Sequence, residues 1–168
     1  LPMDTSKSLE ILKMAILMER KGHAFYNQVA KTTQSQDIKT VFETMAKEEI
    51  MHEKFLSDTF KAIQKENKIV ALSLPKQEDA FSGLILTEKI KKEINAASYE
   101  AAAISAAIDM ESNAIKVYAE FAQKANSKEE KELFEWLSNW ERSHHQILIE
   151  MDKELKEAIW YDNQFWPF

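Results

Sequence analysis

Apolar residues in this chain return at steps of three and four over four long stretches, the spacing of one face of an α-helix. The first stretch runs from about Ser6 to Thr32, with Leu12, Ile16, Tyr26 and Ala30 on its stripe. The second runs from about Asp37 to Glu66 and carries Ile38, Val41, Met45, Leu56, Thr59 and Ile63. The third starts near Ser98 and reads Ile104, Ile108, Ile115, Tyr118 and Ala122. The fourth opens on Ser127-Lys-Glu-Glu130, a capping box, and continues through Phe134, Leu137, Leu148, Met151 and Leu155. No proline interrupts any of the four: Pro2, Pro75 and Pro167 all fall outside them.

Short polar connections, Thr33 to Gln36 and Asn126 to Ser127, predict two antiparallel hairpins. A longer connection, Asn67 to Ala97, separates them, with Pro75, Gly83 and a predicted short helix over Thr87 to Ile94. Two hairpins and one long crossover make an all-α antiparallel four-helix bundle. The halves also repeat. A shift of 92 residues lays Glu19 on Glu111, Tyr26 on Tyr118, Phe42 on Phe134, Glu49 on Glu141 and His52 on His144, without a gap. The reading is therefore one domain over 1–168. Its repeat halves cover about 6–66 and 98–158, its crossover 67–97 and its aromatic C-terminal tail 159–168.

Polar residues interrupt the stripes at matched places. Glu141 and His144 hold the middle of the fourth stripe, Glu49 and His52 the middle of the second. Glu19 lies between Ile16 and Tyr26, and Glu111 between Ile108 and Tyr118. Four carboxylates and two imidazoles then face one core at one level. Burial penalises each anion, and neighbouring anions penalise each other. No lysine or arginine sits on the stripes there to offset them. Two divalent cations would: four negative charges meet four positive ones. A Glu-x-x-His pair places both ligands one turn apart on one helix face. One such pair is a weak signal; six ligand-type residues at matched offsets within apolar stripes are a strong one.

Composition narrows the chemistry further. Two glycines in 168 residues exclude a Gly-rich phosphate loop and argue against a β-sandwich. The absence of cysteine excludes disulfides, zinc ribbons, thiolate iron–sulfur clusters and a cysteine nucleophile, and fits a cytoplasmic setting. A net charge of −6 without a basic run argues against nucleic acid. No apolar run reaches the roughly 18 residues of a membrane span, and no signal-peptide pattern is present.

Glu19 with Tyr26, Glu49-Ile-Met-His52, Glu111 with Tyr118, and Glu141-Arg-Ser-His144 together resemble the ferritin-like di-iron carboxylate proteins, specifically the rubrerythrin-type domain. The resemblance covers nearly the whole chain and implies a ferritin-like bundle around two irons. By it, Glu49 and Glu141 would bridge the irons. Glu19 and His52 would complete one site, Glu111 and His144 the other, and Tyr26 and Tyr118 would donate to ligand carboxylates. It implies redox chemistry with dioxygen or hydrogen peroxide, of the kind that protects against oxidative stress. Rival readings are a non-enzymatic iron-binding or storage protein, a di-iron oxidase of an organic substrate, and a centre holding manganese or zinc. Two departures matter. Full-length rubrerythrins carry a four-cysteine rubredoxin-like module; this chain has no cysteine, so an external electron donor such as a rubredoxin-like protein is expected. They also carry a glutamate three residues after the third-helix ligand, where Ala114 stands here, opposite Gly22 in the repeat.

His145 lies at i+4 from Glu141 and competes with His144, but the repeat lays it on Glu53. His23 lies at i+4 from Glu19 without a repeat mate, and Asp109 falls on another face. Trp136 and Trp140 read as packing residues of the fourth helix. The tail, Ile159 to Phe168, reads as packing on the bundle or across a homodimer interface, with a docking peptide as the sharper alternative.

Overall fold

The structure, a computed structural model, describes residues 5–69, 73–76 and 99–161, with side chains up to 157 in the last helix. Four helices form: α1 (Thr5–Thr32), α2 (Gln36–Glu66), α3 (Tyr99–Gln123) and α4 (Lys128–Tyr161). Each lies within a residue or two of its expected start. The helical backbone of α4 continues to Tyr161, into what the sequence suggested was tail. The remainder of the tail, the predicted helix over Thr87 to Ile94 and Gly83 lie outside the described residues.

The ends are set by local chemistry. Ser35 caps α2, its Oγ accepting from Ile38 N at 3.2 Å. Asn67 closes α2 in the left-handed region at φ 55° and donates its N–H to Ile63 O. Ser127 caps α4 by accepting from Glu130 N at 3.1 Å. The expected reciprocal bond is displaced by one residue: Glu130 Oε2 accepts from Asn126 N, and Ser8 Oγ of α1 donates to the same oxygen. Glu130 is buried, so this bond spends its carboxylate on joining α1 to α4 as well as on the cap.

These links fix the topology. Thr5 Oγ1 donates to Asn67 Oδ1, bringing the start of α1 to the end of α2. Thr33 Oγ1 donates to Glu100 Oε1, bringing the end of α1 to the start of α3. Ser8 with Glu130 puts the starts of α1 and α4 together. The helices thus run up, down, down, up, and α1 packs along α2 as α3 packs along α4. Because α2 ends at the pole opposite the start of α3, the connection between them must span the bundle's length. That is the physical reason it is long.

The core falls into two layers. One gathers Tyr26, Ala30, Phe42, Met45, Ile104 and Leu148; the other gathers Leu12, Leu56, Tyr118, Phe134 and Leu137. Between them lies a polar level.

Candidate metal centre

The helical stripes set this level. One turn separates Glu49 from His52 on α2 and Glu141 from His144 on α4, so each pair faces the axis together. Glu19 on α1 and Glu111 on α3 face them. All six are buried, both histidines completely.

His52 Nδ1 lies 3.1 Å from Glu19 Oε2, 3.6 Å from Glu49 Oε2 and 3.0 Å from Glu141 Oε1. His144 Nδ1 lies 3.3 Å from Glu111 Oε1, 3.1 Å from Glu49 Oε1 and 3.0 Å from Glu141 Oε2. Two four-residue sets follow, Glu19, Glu49, His52, Glu141 and Glu49, Glu111, Glu141, His144; within each, one ligand atom per residue lies within 4.8 Å of the others. Glu49 and Glu141 belong to both sets, offering one oxygen to each side. Tyr26 donates to Glu111 Oε1, and Tyr118 donates to Glu19 Oε1. Each phenol therefore steadies a carboxylate across the bundle.

Sequence reasoning missed Glu48. It is buried, and its Oε2 accepts from His144 Nε2 at 2.7 Å and from Trp140 Nε1 at 2.8 Å. The signal was present: Glu48 follows Met45 by three and precedes His52 by four, on the buried side of α2. Trp140 is fully buried and its ring meets His52 edge-on at 5.3 Å, so it belongs to this level and is more than helix packing. Trp136 meets His52 at the same distance and donates its Nε1–H to Pro75 O at 2.8 Å.

The electrostatics are those of a crowded anionic cage. Burial, with the charges of Glu141 and Glu19, holds the Glu49 carboxyl well above its ordinary range. Burial and the Glu141 charge push Glu111 up to about 8. Burial disfavours the charged forms of both imidazoles, but the surrounding carboxylates outweigh it and raise them, Glu19 most for His52 and Glu141 most for His144. Glu141 lies between the two imidazoles; burial pushes it up, and they, His144 foremost, draw it down further. Burial, reinforced by the nearby glutamates, also raises both phenols, so Tyr26 and Tyr118 stay protonated and act as donors.

The residues fit a pair of divalent cations. No lysine or arginine is buried among the described residues, so nothing else offsets the carboxylates. Glu141 Oε1 lies close to His52 yet accepts no hydrogen bond, as expected of an oxygen shaped to hold a cation. All-carboxylate and imidazole donors suit iron, manganese or zinc.

Access is narrow. A cavity of about 160 Å³ opens between α1 and α3, bounded by Met18, Gly22, Met110 and Ala114, and reaches Glu19, Glu49, Glu111 and Glu141. Gly22 shapes its floor: a Cβ there would stand 3.2 Å from Glu49 Cδ. A larger open depression of about 970 Å³, near Asn126, Lys131 and Arg142, lies on the surface and touches none of the cage residues.

The other histidines are elsewhere. His145 is half-buried and outside both ligand sets. His23 is tied to Ala46 O through Nδ1 at 3.1 Å. Asp109 is exposed.

The sequence model of the Rubrerythrin family matches residues 10–105 and 102–163. Among solved structures, a hypothetical protein from Pyrococcus furiosus is similar in fold, with a TM-score of 0.64 and 21% identity over 94% of this chain and 98% of its own. No curated protein matches the chain.

Proposed function

The chain belongs to the rubrerythrin family, and from that premise we propose that its cage holds two irons and serves the reduction of peroxide or dioxygen. The observation that carries this reading is the sharing of Glu49 and Glu141 between two otherwise separate ligand sets, which is what bridging carboxylates require. Bound ferrous iron would supply the electrons, one from each of two ions, so that one peroxide and two protons become two waters.

The chain's own residues do the rest. Glu19 with His52 and Glu111 with His144 define the two ends of the centre. Tyr26 and Tyr118 hold the outer carboxylates in place. The two apolar layers exclude bulk water above and below. The cavity favours a small oxidant over an organic substrate, because sites for drug-sized ligands occupy roughly 300–1,000 Å³ and this one about 160 Å³. Ala114 and Gly22 leave that space open. With no cysteine in the chain, return of the irons to the ferrous state depends on an electron donor with its own redox group.

The test is anaerobic loading of metal-free protein with ferrous iron, followed by mixing with peroxide or dioxygen and observation of ferric absorption. Two irons per chain should oxidise, and peroxide reacting much faster than dioxygen assigns the peroxidase role. Dioxygen reacting as fast would favour a ferroxidase, and loaded protein that stays ferrous with both would sink the redox reading.

A further inference from the structure

The two ligand sets are alike in composition, three glutamates and one histidine each, and related by the repeat. Each also has a tyrosine on its outer glutamate. What differs is the far side of the two imidazoles. Behind His144 stands the Glu48 carboxylate, 2.7 Å from Nε2. At the matching place behind His52, the repeat puts Trp140 where Glu48 would be. An indole N–H donates only, and this one is directed to Glu48. His52 Nε2 is buried, hemmed by the edges of Trp136 and Trp140, and has no hydrogen-bond partner.

We propose that the two metal positions are unequal: the one served by His144 fills first and holds its ion more tightly, and the one served by His52 is the exchangeable position. The inference rests on the reading of the cage as a two-metal centre. A neutral imidazole that ligates through Nδ1 must keep its proton on Nε2. Glu48 Oε2 accepts a hydrogen bond from that Nε2–H of His144, fixing tautomer and ring orientation and strengthening Nδ1 as a metal ligand. For His52 the metal-binding tautomer leaves a buried N–H unpaired, a state with a desolvation cost. Its competitor, with the proton on Nδ1, donates instead to Glu19 at 3.1 Å. A proton on Nδ1 finds a carboxylate at either ring, since His144 Nδ1 lies 3.0 Å from Glu141, so the difference is on the far side: ion binding at His52 leaves a buried Nε2–H unsatisfied, whereas binding at His144 leaves its Nε2–H paired with Glu48. Glu48 acts here as a positioning residue.

The experiment is titration of the metal-free protein with Co2+, followed by visible absorption and calorimetry. The expected result is two steps, the first at least about ten-fold tighter, the scale on which such outer partners act. Glu48→Gln should weaken the first step by about ten-fold and leave the second nearly unchanged, so that the steps merge. His52→Asn should retain the tight equivalent and His144→Asn should lose it. As a check that needs no change at Glu48, the first equivalent of Co2+ should give the large contact shifts of a coordinated imidazole to the ring protons of His144, those of His52 gaining them only with the second. Two equal steps, contact-shifted signals of both rings growing in together, or a tight equivalent that survives in His144→Asn would overturn the inequality while leaving a two-metal centre standing. Protein that binds no Co2+ would overturn both.

Discussion

At the scale of single residues, Gly22 separates the needs of the helix from those of the cage. A glycine inside α1 costs about 1 kcal/mol relative to alanine. It is kept at the point where a Cβ would crowd the Glu49 carboxylate, at 3.2 Å from Cδ and 3.4 Å from Oε2. The end of a glutamate side chain can yield a few tenths of an ångström in metal-free protein, but a carboxylate bridging two cations, the role proposed for Glu49, would have little such freedom. Gly22→Ala should therefore leave the metal-free protein as stable or slightly more so, while lowering its affinity for Co2+ and narrowing the cavity. Thermal melting of the metal-free variant and a Co2+ titration test the two halves of this expectation. A variant that binds normally would show that the cavity floor can move without cost. The residue scale is also where the sequence is most and least readable. Glu19, Glu49, His52, Glu111, Glu141 and His144 interrupt apolar stripes, so their convergence follows from helical period alone. Glu48 does not stand out because charged residues flank it at Lys47 and Glu49. Its importance rests on which ring nitrogen it meets, a matter of rotation and rotamer that no spacing encodes.

Among the helices, the ends do as much as the stripes. Ser127, Glu130, Asn126 and Ser8 form one network that starts α4 and ties it to α1. Ser127→Ala should cost about 1 kcal/mol, the usual loss for a cap. Glu130→Ala should cost more, since it leaves the buried Ser8 Oγ and the Asn126 N–H without their shared acceptor. Denaturant unfolding of both variants measures this; equal losses would mean that the link between helices adds nothing to the cap. The Ser127–Glu130 signature was legible as a helix start, but its partner across the bundle was not, because Ser8 lies far away in the chain. The long crossover was legible in length, and its cause, the up, down, down, up order, emerges only from the contacts at the two poles.

For the whole molecule, the cage makes stability a function of pH and of metal together. In the metal-free protein, protons do the work of cations. Glu49 and Glu111 keep protons that the unfolded chain releases above its ordinary value near 4.5. The stability they contribute is complete below that pH and is lost as pH rises, toward about 8 for Glu111. His52 and His144 act in the same direction from a higher start, complete below 6.5 and lost as pH climbs past their raised values. Glu141 runs the other way, contributing above 4.5 and losing its contribution on acidification. Between pH 5 and 8.5 the first four outnumber it, so the metal-free protein should weaken as pH rises, with a slope of up to about 1.4 kcal/mol per unit for each group then titrating. Divalent ions held as proposed would reverse the trend, because they would bind the deprotonated cage, displace its protons and compete better as pH rises. The gain in melting temperature on adding Co2+ should thus be small near pH 5.5 and large near pH 8, with protons released to the buffer on binding at neutral pH. Paired melts of both forms across this range, with calorimetry in buffers of different ionisation enthalpy, measure the two effects. A metal-free protein equally stable at pH 5.5 and pH 8 would contradict the picture of protons standing in for cations, because a cage of ionised carboxylates at both pH values would have no protons to lose.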